Sequence, residues 1–233
     1  MNTKIFCDIA DLKTIKKFNK KKIVKGFTTN PSLMRKAGAK DYRKYSKQIL
    51  KICKNKPVSL EVFADNYNDI RKQSLEINKW GKNVYVKVPI VNSKGLFMGK
   101  IMEELHKKKI KLNITAVYSA QQVKKILKKV RNKTKIIISI FVGRLADSGK
   151  DPISMLKDTI RLAKNYDNVE ILWASTREPY NYIQAKKLGC KIITAPPKII
   201  EKIEGFKKIS DKKLSIATVK GFLKDSKLSK FRI

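Results

Sequence analysis

The chain has 233 residues, of which 42% are hydrophobic and 32% are charged, and its formal net charge is +36. This length and composition predict one soluble globular domain, and no apolar run is long enough to span a membrane. His106 is the only histidine in the sequence, so acid-base chemistry is expected to depend on carboxylates, lysine or bound water. The three separated cysteines, Cys7, Cys53 and Cys190, show no metal-binding spacing and favour a reducing cytoplasm.

Short apolar segments alternate with amphipathic helical patterns from one end of the chain to the other. The predicted strands cover residues 4–8, 24–28, 58–63, 84–88, 112–115, 136–141, 169–173 and 192–195. Helices are predicted between them at residues 42–53, 66–80, 96–106, 120–130, 152–165 and 179–188. This alternation predicts the α/β class and a single (β/α)8 TIM barrel over residues 1–233, with residues 211–233 as a closing C-terminal helix and basic tail. A doubly wound open sheet is the alternative fold.

One of the 47 lysines lies inside a predicted buried strand. Lys87 interrupts a run of β-branched residues of the kind that is buried on both faces of a parallel sheet. A lysine there loses hydration, which disfavours its charged form, and a desolvated amine is the nucleophile that Schiff-base chemistry on a ketone requires. The alternative is a lysine whose stem lines the strand while its ammonium group reaches solvent.

Polar side chains occur at the carboxyl-terminal ends of seven predicted strands. Because TIM barrels carry their chemistry at that end, these residues are predicted to meet in one site. In chain order they are Asp8, Thr28, Asn30, Glu61, Lys87, Thr115, Ser139, Ser175 and Arg177. Each has a structural alternative: Asp8 could cap a helix that begins near Asp11. Asn30 could form a turn with Pro31, and Glu61 could pair with one of the many lysines.

The high net charge raises a second class of function, a basic nucleic-acid-associated protein on a barrel scaffold. However, 47 of the 55 basic residues are lysines, spread over the predicted helices, and no stretch interleaves arginines with aromatic residues. We therefore expect no specific nucleic-acid binding. A field of this sign would still attract small anions, phosphorylated sugars included.

Five segments, in order and with barrel spacing, carry a resemblance to a known family. They read GFTTNPSL at residues 26–33, VKVP at 86–89, NITAVYS at 113–119, SIFVGR at 139–144 and ASTR at 174–177. The chain resembles the transaldolases, in particular the short-subunit branch that also contains fructose-6-phosphate aldolase. The resemblance implies class I aldol chemistry without a metal or organic cofactor, and a homo-oligomer such as a pentamer or decamer.

The resemblance also implies roles for individual residues. Lys87 would form the imine with a ketose phosphate, and Glu61 would move protons through a water held by Thr115. Asp8 would take the proton of the C4 hydroxyl. The remaining substrate-binding assignments are Thr28, Asn30, Ser139, Phe141, Arg144, Ser175 and Arg177, of which Asn30 and Ser139 hold the three-carbon fragment and Arg144, Ser175 and Arg177 the distal phosphate. Arg144 has the structural alternative of an ion pair with Asp147 or Asp151.

In the family that this chain resembles, two positions differ between transaldolases, which transfer the three-carbon unit, and the aldolase, which releases it. The proton-shuttling position tends to be glutamate in transaldolases and glutamine in the aldolase, and this chain has Glu61. The aromatic position after the sixth strand tends to be phenylalanine in transaldolases and tyrosine in the aldolase, and this chain has Phe141. Transaldolase is therefore the predicted activity, and fructose-6-phosphate aldolase, which releases free dihydroxyacetone, is the alternative.

Overall fold

The structure is a computed structural model that describes residues 3–206 and 209–231. The eight strands are β1 Lys4–Asp8, β2 Val24–Thr28, β3 Val58–Glu61, β4 Val84–Pro89, β5 Leu112–Val117, β6 Ile136–Ile140, β7 Val169–Trp173 and β8 Ile192–Ala195. All are parallel, and they pair in chain order into a closed barrel in which β8 returns to β1. The predicted TIM barrel is confirmed, and the open-sheet alternative is wrong.

Helices follow the strands along the described part of the chain. They are α1 Leu12–Asn19, α2 Pro31–Lys36, α3 Tyr42–Ile52, α4 Tyr67–Asn78, α5 Gly99–Lys107, α6 Ala120–Leu127, α7 Val142–Asp147, α8 Pro152–Ala163, α9 Tyr180–Lys187, α10 Pro197–Glu204 and α11 Asp211–Ser229. Local chemistry sets several starts: the Asp11 side chain accepts a hydrogen bond from the Thr14 amide at 2.7 Å and begins α1. Asp11, and not Asp8, is therefore the cap of that helix.

Several predicted boundaries differ from the structure, and three of them lie next to apolar residues. β3 ends at Glu61, two residues before the predicted end, and Phe63 beyond it is 61% exposed. β6 ends at Ile140, and Phe141 is the residue that precedes α7. The helix predicted from residue 96 begins at Gly99. In each case, apolar residues lie next to the strand or helix but outside its regular backbone conformation.

Alternation of side chains across each strand forms two apolar layers. Between strands and helices lies the larger core, to which Cys7 belongs. Inside the barrel lies a smaller cluster made of Phe6, Tyr85, Ile137, Leu172, Ala174 and Ile192. Lys87 follows Tyr85 by two residues, so both side chains share the inner face, with Lys87 nearer the carboxyl end of the strand. Asp8 stands in the same relation to Phe6, so the apolar cluster lies beneath the predicted site.

A second compact unit, residues 204–233, follows the barrel unit of residues 1–203. It contains α11, which begins after Ser210, whose hydroxyl accepts a hydrogen bond from the Lys213 amide, and ends at Lys230 with a left-handed φ of 51°. The predicted C-terminal helix is thus present, and its closing role stays a prediction.

Candidate active site

The carboxyl-terminal ends of the strands surround a cavity of about 250 Å³. Ten of the eleven side chains predicted from the sequence line it: Asp8, Thr28, Asn30, Lys87, Thr115, Ser139, Phe141, Arg144, Ser175 and Arg177. The eleventh, Glu61, is outside the lining and contacts Lys87. Four lining residues were not predicted, namely Ala174, Thr176, Thr194 and Pro196. Thr194 is the polar residue of β8, and the strand-end argument applied to that strand would have found it.

Lys87 and Glu61 form an ion pair at the side of this cavity. Lys87 is opposite Glu61 in the pairing of β3 with β4, and Lys87 Nζ lies 2.9 Å from Glu61 Oε2. The ammonium group also donates a hydrogen bond to the Thr29 carbonyl oxygen at 3.1 Å. Lys87 is only 7% exposed, so the alternative in which its ammonium group reaches solvent is wrong. A proton can pass between the two groups without an intermediary.

A chain of hydroxyl groups holds Asp8 on the other side of the cavity. Thr28 Oγ1 donates to Asp8 Oδ1 at 2.7 Å and lies 2.6 Å from Thr194 Oγ1. Burial raises the pKa of Asp8, while the charge of Lys87 and the hydrogen bond from Thr28 act in the opposite direction. A carboxylate with a raised pKa is a stronger base than an ordinary aspartate, which suits it to accept a proton from a sugar hydroxyl.

Ser139 is oriented by a buried relay across three strands. Ser139 Oγ donates to Asn113 Oδ1 at 2.7 Å, and Asn113 Nδ2 donates to Ser59 Oγ at 2.9 Å. The Asn113 side chain therefore has a fixed orientation, and the lone pairs of Ser139 Oγ remain able to accept a hydrogen bond from a ligand. The sequence singled out Ser139 but not the asparagine that positions it.

Thr115 has a buried hydroxyl that finds no hydrogen-bond partner among the described residues. Immediately after it, Ala116 adopts a left-handed φ of 58°, and the pairing of β5 with β6 shifts between Ile114 and Val117. Such a bulge changes the direction of the strand next to a site. Because a buried hydroxyl costs free energy when unpaired, Thr115 Oγ1 is suited to bind a water or a substrate oxygen.

Asn30 begins α2 and also faces the cavity. Its Oδ1 accepts a hydrogen bond from the Leu33 amide at 2.9 Å, and Pro31 follows as the first residue of the helix. The capping bond fixes the side chain, and its Nδ2 donor makes no hydrogen bond with any other described residue. The alternative of a plain turn at Asn30 and Pro31 is therefore wrong, because these residues begin a helix, and the Asn30 side chain still lines the cavity.

Two arginines stand at the outer end of the cavity. The Arg144 guanidinium lies 5.3 Å from the centre of the Phe141 ring, while Arg177 makes a bidentate ion pair with Asp147. The predicted alternative, an ion pair of Arg144 with Asp147 or Asp151, is wrong, because Arg144 forms no ion pair with the described residues and Asp147 pairs with Arg177. The two arginines also line an adjoining cavity of about 970 Å³.

Gly143 permits the close approach that places these residues. A Cβ atom at this position would lie 1.7 Å from the Ser175 carbonyl oxygen and 3.1 Å from Arg177 Cγ. Ser175 itself has a left-handed φ of 63°, an uncommon conformation for a serine. The start of α7 and the loop after β7 thus fit together only when residue 143 has no side chain.

Other reactive side chains lie outside this cavity. In the described ranges, no group of three or more His, Cys, Asp or Glu side chains could hold a metal ion. The three cysteines are free and buried, and burial raises the pKa of Cys53 and of Cys190 to about 12, which leaves both thiols protonated at neutral pH. The helices of residues 3–206 and 209–231 include none with the length and apolar character needed to cross a membrane.

The protein has the fold of solved TIM-barrel structures, and two of them are similar over most of this chain. One is a putative dihydrodipicolinate synthase family protein from Coccidioides immitis, with a TM-score of 0.57, 11% identity and coverage of 82% of this chain and 65% of the other. Another is orotidine 5'-monophosphate decarboxylase from Metallosphaera sedula, with a TM-score of 0.56, 12% identity and coverage of 88% and 96%. At these identities the likeness concerns the fold alone.

Sequence comparison identifies the family. Residues 5–232 match the family described as Transaldolase/Fructose-6-phosphate aldolase. A probable transaldolase from Nitrosopumilus maritimus is 37% identical over 204 residues, which cover 86% of each chain. One from Dehalococcoides mccartyi is 35% identical over 198 residues, covering 84% of this chain and 88% of the relative. The chain belongs to the transaldolase/fructose-6-phosphate aldolase family.

Proposed function

We propose that this protein is a transaldolase, which transfers a dihydroxyacetone unit from a ketose phosphate to an aldose phosphate through a Schiff base on Lys87. The observation that carries the proposal is the buried contact between Lys87 Nζ and Glu61 Oε2, at 2.9 Å, beside a polar cavity. Fructose 6-phosphate or sedoheptulose 7-phosphate is the proposed donor. The names of the relatives, probable transaldolases, support the same activity.

The ion pair supplies the proton that imine formation requires. Glu61 accepts a proton from the Lys87 ammonium group, and the resulting amine attacks the C2 carbonyl of the ketose. The carbinolamine forms when a proton moves from nitrogen to oxygen, and a water bound to Thr115 Oγ1 is suited to carry it. Glu61 then returns its proton to the C2 hydroxyl, which leaves as water, and a protonated imine remains on Lys87.

Asp8 acts on the bond that breaks. Its carboxylate takes the proton of the C4 hydroxyl, C4 becomes an aldehyde, and the electrons of the C3–C4 bond move into the imine to give an enamine. Ser139 and Asn30 Nδ2 are proposed to hold the hydroxyls of the three-carbon fragment. When an acceptor aldehyde binds, enamine C3 attacks it and Asp8 returns the proton to the new hydroxyl. Hydrolysis of the imine then releases the product.

The outer end of the cavity is proposed to bind the phosphate. Arg144 and Arg177 provide forked, permanently charged donors, and Ser175 lines the same cavity. The Asp147 carboxylate fixes the orientation of the Arg177 guanidinium. Because Arg144 forms no ion pair with the described residues, its charge is available to the ligand.

Borohydride trapping tests this proposal. Reduction in the presence of fructose 6-phosphate should attach a three-carbon unit to the protein, and peptide mapping should place it on Lys87. Lys87→Met, which has similar volume, should fold and show no adduct. Lys111→Met serves as a control because this lysine lies at the opposite end of the barrel. An adduct on another lysine would contradict the proposed nucleophile.

A product assay separates transfer from release. With fructose 6-phosphate and erythrose 4-phosphate, the protein should form sedoheptulose 7-phosphate faster than it releases free dihydroxyacetone. The opposite ratio would establish the aldolase in place of the transaldolase. A cytoplasmic location, a homo-oligomeric state and the absence of specific nucleic-acid binding are part of the proposal and await their own measurements.

A further inference from the structure

Lysines surround the amino-terminal mouth of the barrel, opposite the candidate active site. Each strand from β1 to β6 has a lysine within two residues of its start, namely Lys4, Lys25, Lys56, Lys82, Lys111 and Lys135. All six line one cavity of about 750 Å³, together with Lys54. The floor of this cavity is apolar, because Phe6, Tyr85 and Ile137 of the inner cluster close it.

The charge of this cavity is poorly balanced. Its lining contains one carboxylate, Glu170, and Glu170 Oε1 already lies 2.7 Å from Lys4 Nζ. The side chains of Lys25, Lys54 and Lys135 are exposed and make no hydrogen bond or ion pair with the described residues. Seven cations against one anion leave a strong positive potential, which a concave surface with a low-dielectric floor concentrates.

Lys56 and Lys111 are each repelled by a second lysine of the cavity. Burial lowers the pKa of Lys56, and the charge of Lys25 lowers it further. Burial likewise lowers the pKa of Lys111, with Lys135 acting in the same direction. Lys56 Nζ donates to the Asn19 carbonyl oxygen at 2.6 Å, so its position is fixed by neutral partners. An anion in the cavity would relieve this repulsion.

We propose that the amino-terminal mouth is a binding site for a small anion that carries several phosphate groups. Several groups are favoured because neighbouring strands lie about 4.8 Å apart, so cations on different strands can each reach a separate phosphate. A small ligand is favoured over nucleic acid because the cations surround a concavity within the usual volume range of small-molecule sites. This site is separate from the proposed transaldolase chemistry.

Titration with inorganic tripolyphosphate at physiological ionic strength tests the proposal. Calorimetry should show one tripolyphosphate bound per chain outside the active site, and orthophosphate should bind more weakly. The triple variant Lys25→Gln/Lys54→Gln/Lys135→Gln should bind tripolyphosphate at least about tenfold more weakly, because three unpaired cations are lost. None of these three side chains makes a hydrogen bond with the described residues, so the variant should keep its fold and its aldol activity.

A matched control removes the same charge elsewhere. Lys16→Gln/Lys124→Gln/Lys125→Gln alters exposed lysines of α1 and α6 and should leave tripolyphosphate binding unchanged. Equal loss in both triple variants would show diffuse attraction by net charge and overturn the proposal. Loss in Arg144→Ala/Arg177→Ala, with the lysine variant unaffected, would place the ligand in the active site and also overturn it. The proposal would also be overturned if an RNA duplex displaced tripolyphosphate and bound the protein more tightly than tripolyphosphate does.

Discussion

The hydroxyl oxygens of Thr28 and Thr194 lie 2.6 Å apart, and this contact joins β8 to the candidate acid-base residue on β1. Thr28 has one proton, which it donates to Asp8, so Thr194 must be the donor in the contact between the two threonines. If Asp8 becomes protonated, the chain can reverse direction and end at the Phe6 carbonyl oxygen, 3.5 Å from Thr194 Oγ1. The two threonine hydroxyls can therefore hydrogen-bond to either the ionised or the protonated form of Asp8 by rotating their O–H bonds, while their oxygen atoms stay in place.

The first prediction concerns the pH dependence of catalysis. Thr28→Val removes a hydrogen bond that favours the ionised form of Asp8, so the pKa of Asp8 should rise further. The acidic limb of the kcat/KM profile should move to higher pH, and Thr194→Val should give a smaller shift in the same direction. Thr218→Val, on α11, serves as a control. If the acidic limb were unchanged in Thr28→Val, Asp8 would not be the group whose ionisation produces that limb.

The second prediction concerns stability and pH. Burial raises the pKa of Asp8 in the folded protein above its ordinary value, which applies in the unfolded chain. At a pH between the unfolded-state and folded-state pKa, Asp8 therefore binds more protons in the folded protein than in the unfolded chain. Stability contributed by this residue should therefore fall as pH rises through that window. Asp8→Asn has no carboxyl group to titrate at this position, so it lacks this loss of stability. The free energy of unfolding of Asp8→Asn minus that of the unaltered protein should therefore be smallest near pH 4 and increase towards neutral pH.

Urea denaturation across this pH range measures the effect. Asp167→Asn, at an exposed aspartate, should show no comparable gain. A gain from Asp8→Asn that shrinks as pH rises would contradict the assignment. In the activity assay, Asp8→Asn should lower kcat by about 10²- to 10⁴-fold, since the base for the C4 hydroxyl is lost.

The third prediction concerns the partner of Lys87. Glu61→Gln keeps the size of the side chain but removes the group that accepts a proton from the ammonium, so imine formation should slow by about 100-fold or more. The rate of borohydride trapping in a single turnover measures this step directly. Glu201→Gln breaks another lysine–carboxylate contact, with Lys17 on the surface, and should leave the rate unchanged. Equal trapping rates in Glu61→Gln and the unaltered protein would remove Glu61 from this step.

The fourth prediction concerns Gly143. A methyl group there would collide with the Ser175 carbonyl oxygen, so Gly143→Ala should displace the loop that carries Ser175 and Arg177. KM for the ketose phosphate should rise, and the free energy of unfolding should fall by about 1–3 kcal/mol. Gly221→Ala, where a Cβ atom meets nothing within 4 Å, should cause neither change. An unaltered KM in a folded Gly143→Ala protein would argue against phosphate binding by this loop.

The fifth prediction concerns the fate of the enamine. Phe141 lines the cavity and offers no hydrogen-bond donor, so Phe141→Tyr would add a hydroxyl that can orient a water towards the intermediate. Release of dihydroxyacetone, measured without an acceptor, should increase relative to formation of the seven-carbon sugar. Phe141→Leu, which adds no hydroxyl, should not increase that ratio. A similar increase in both variants would indicate a loosened cavity and not an added donor.

The sequence predicted the barrel and most of the cavity because both depend on short-range patterns. Lys87 and Asp8 could be found since each is a charged residue in an otherwise apolar strand. The direct contact of Lys87 with Glu61 could not, because it depends on the register between β3 and β4, which no local pattern encodes. The pairing of Arg177 with Asp147 joins the loop after β7 to the end of α7, 30 positions away, and the sequence suggested Asp147 only as a partner of Arg144.

The apolar cluster inside the barrel divides it into two compartments with separate entrances. Phe6, Tyr85 and Ile137 are at most 7% exposed and fill the space between the candidate active site and the lysines at the other mouth. The two ends are therefore open to independent redesign. If the amino-terminal mouth were used to tether the protein to an anionic support, the barrel would stand with its catalytic entrance turned outward, towards the solution that carries the sugars.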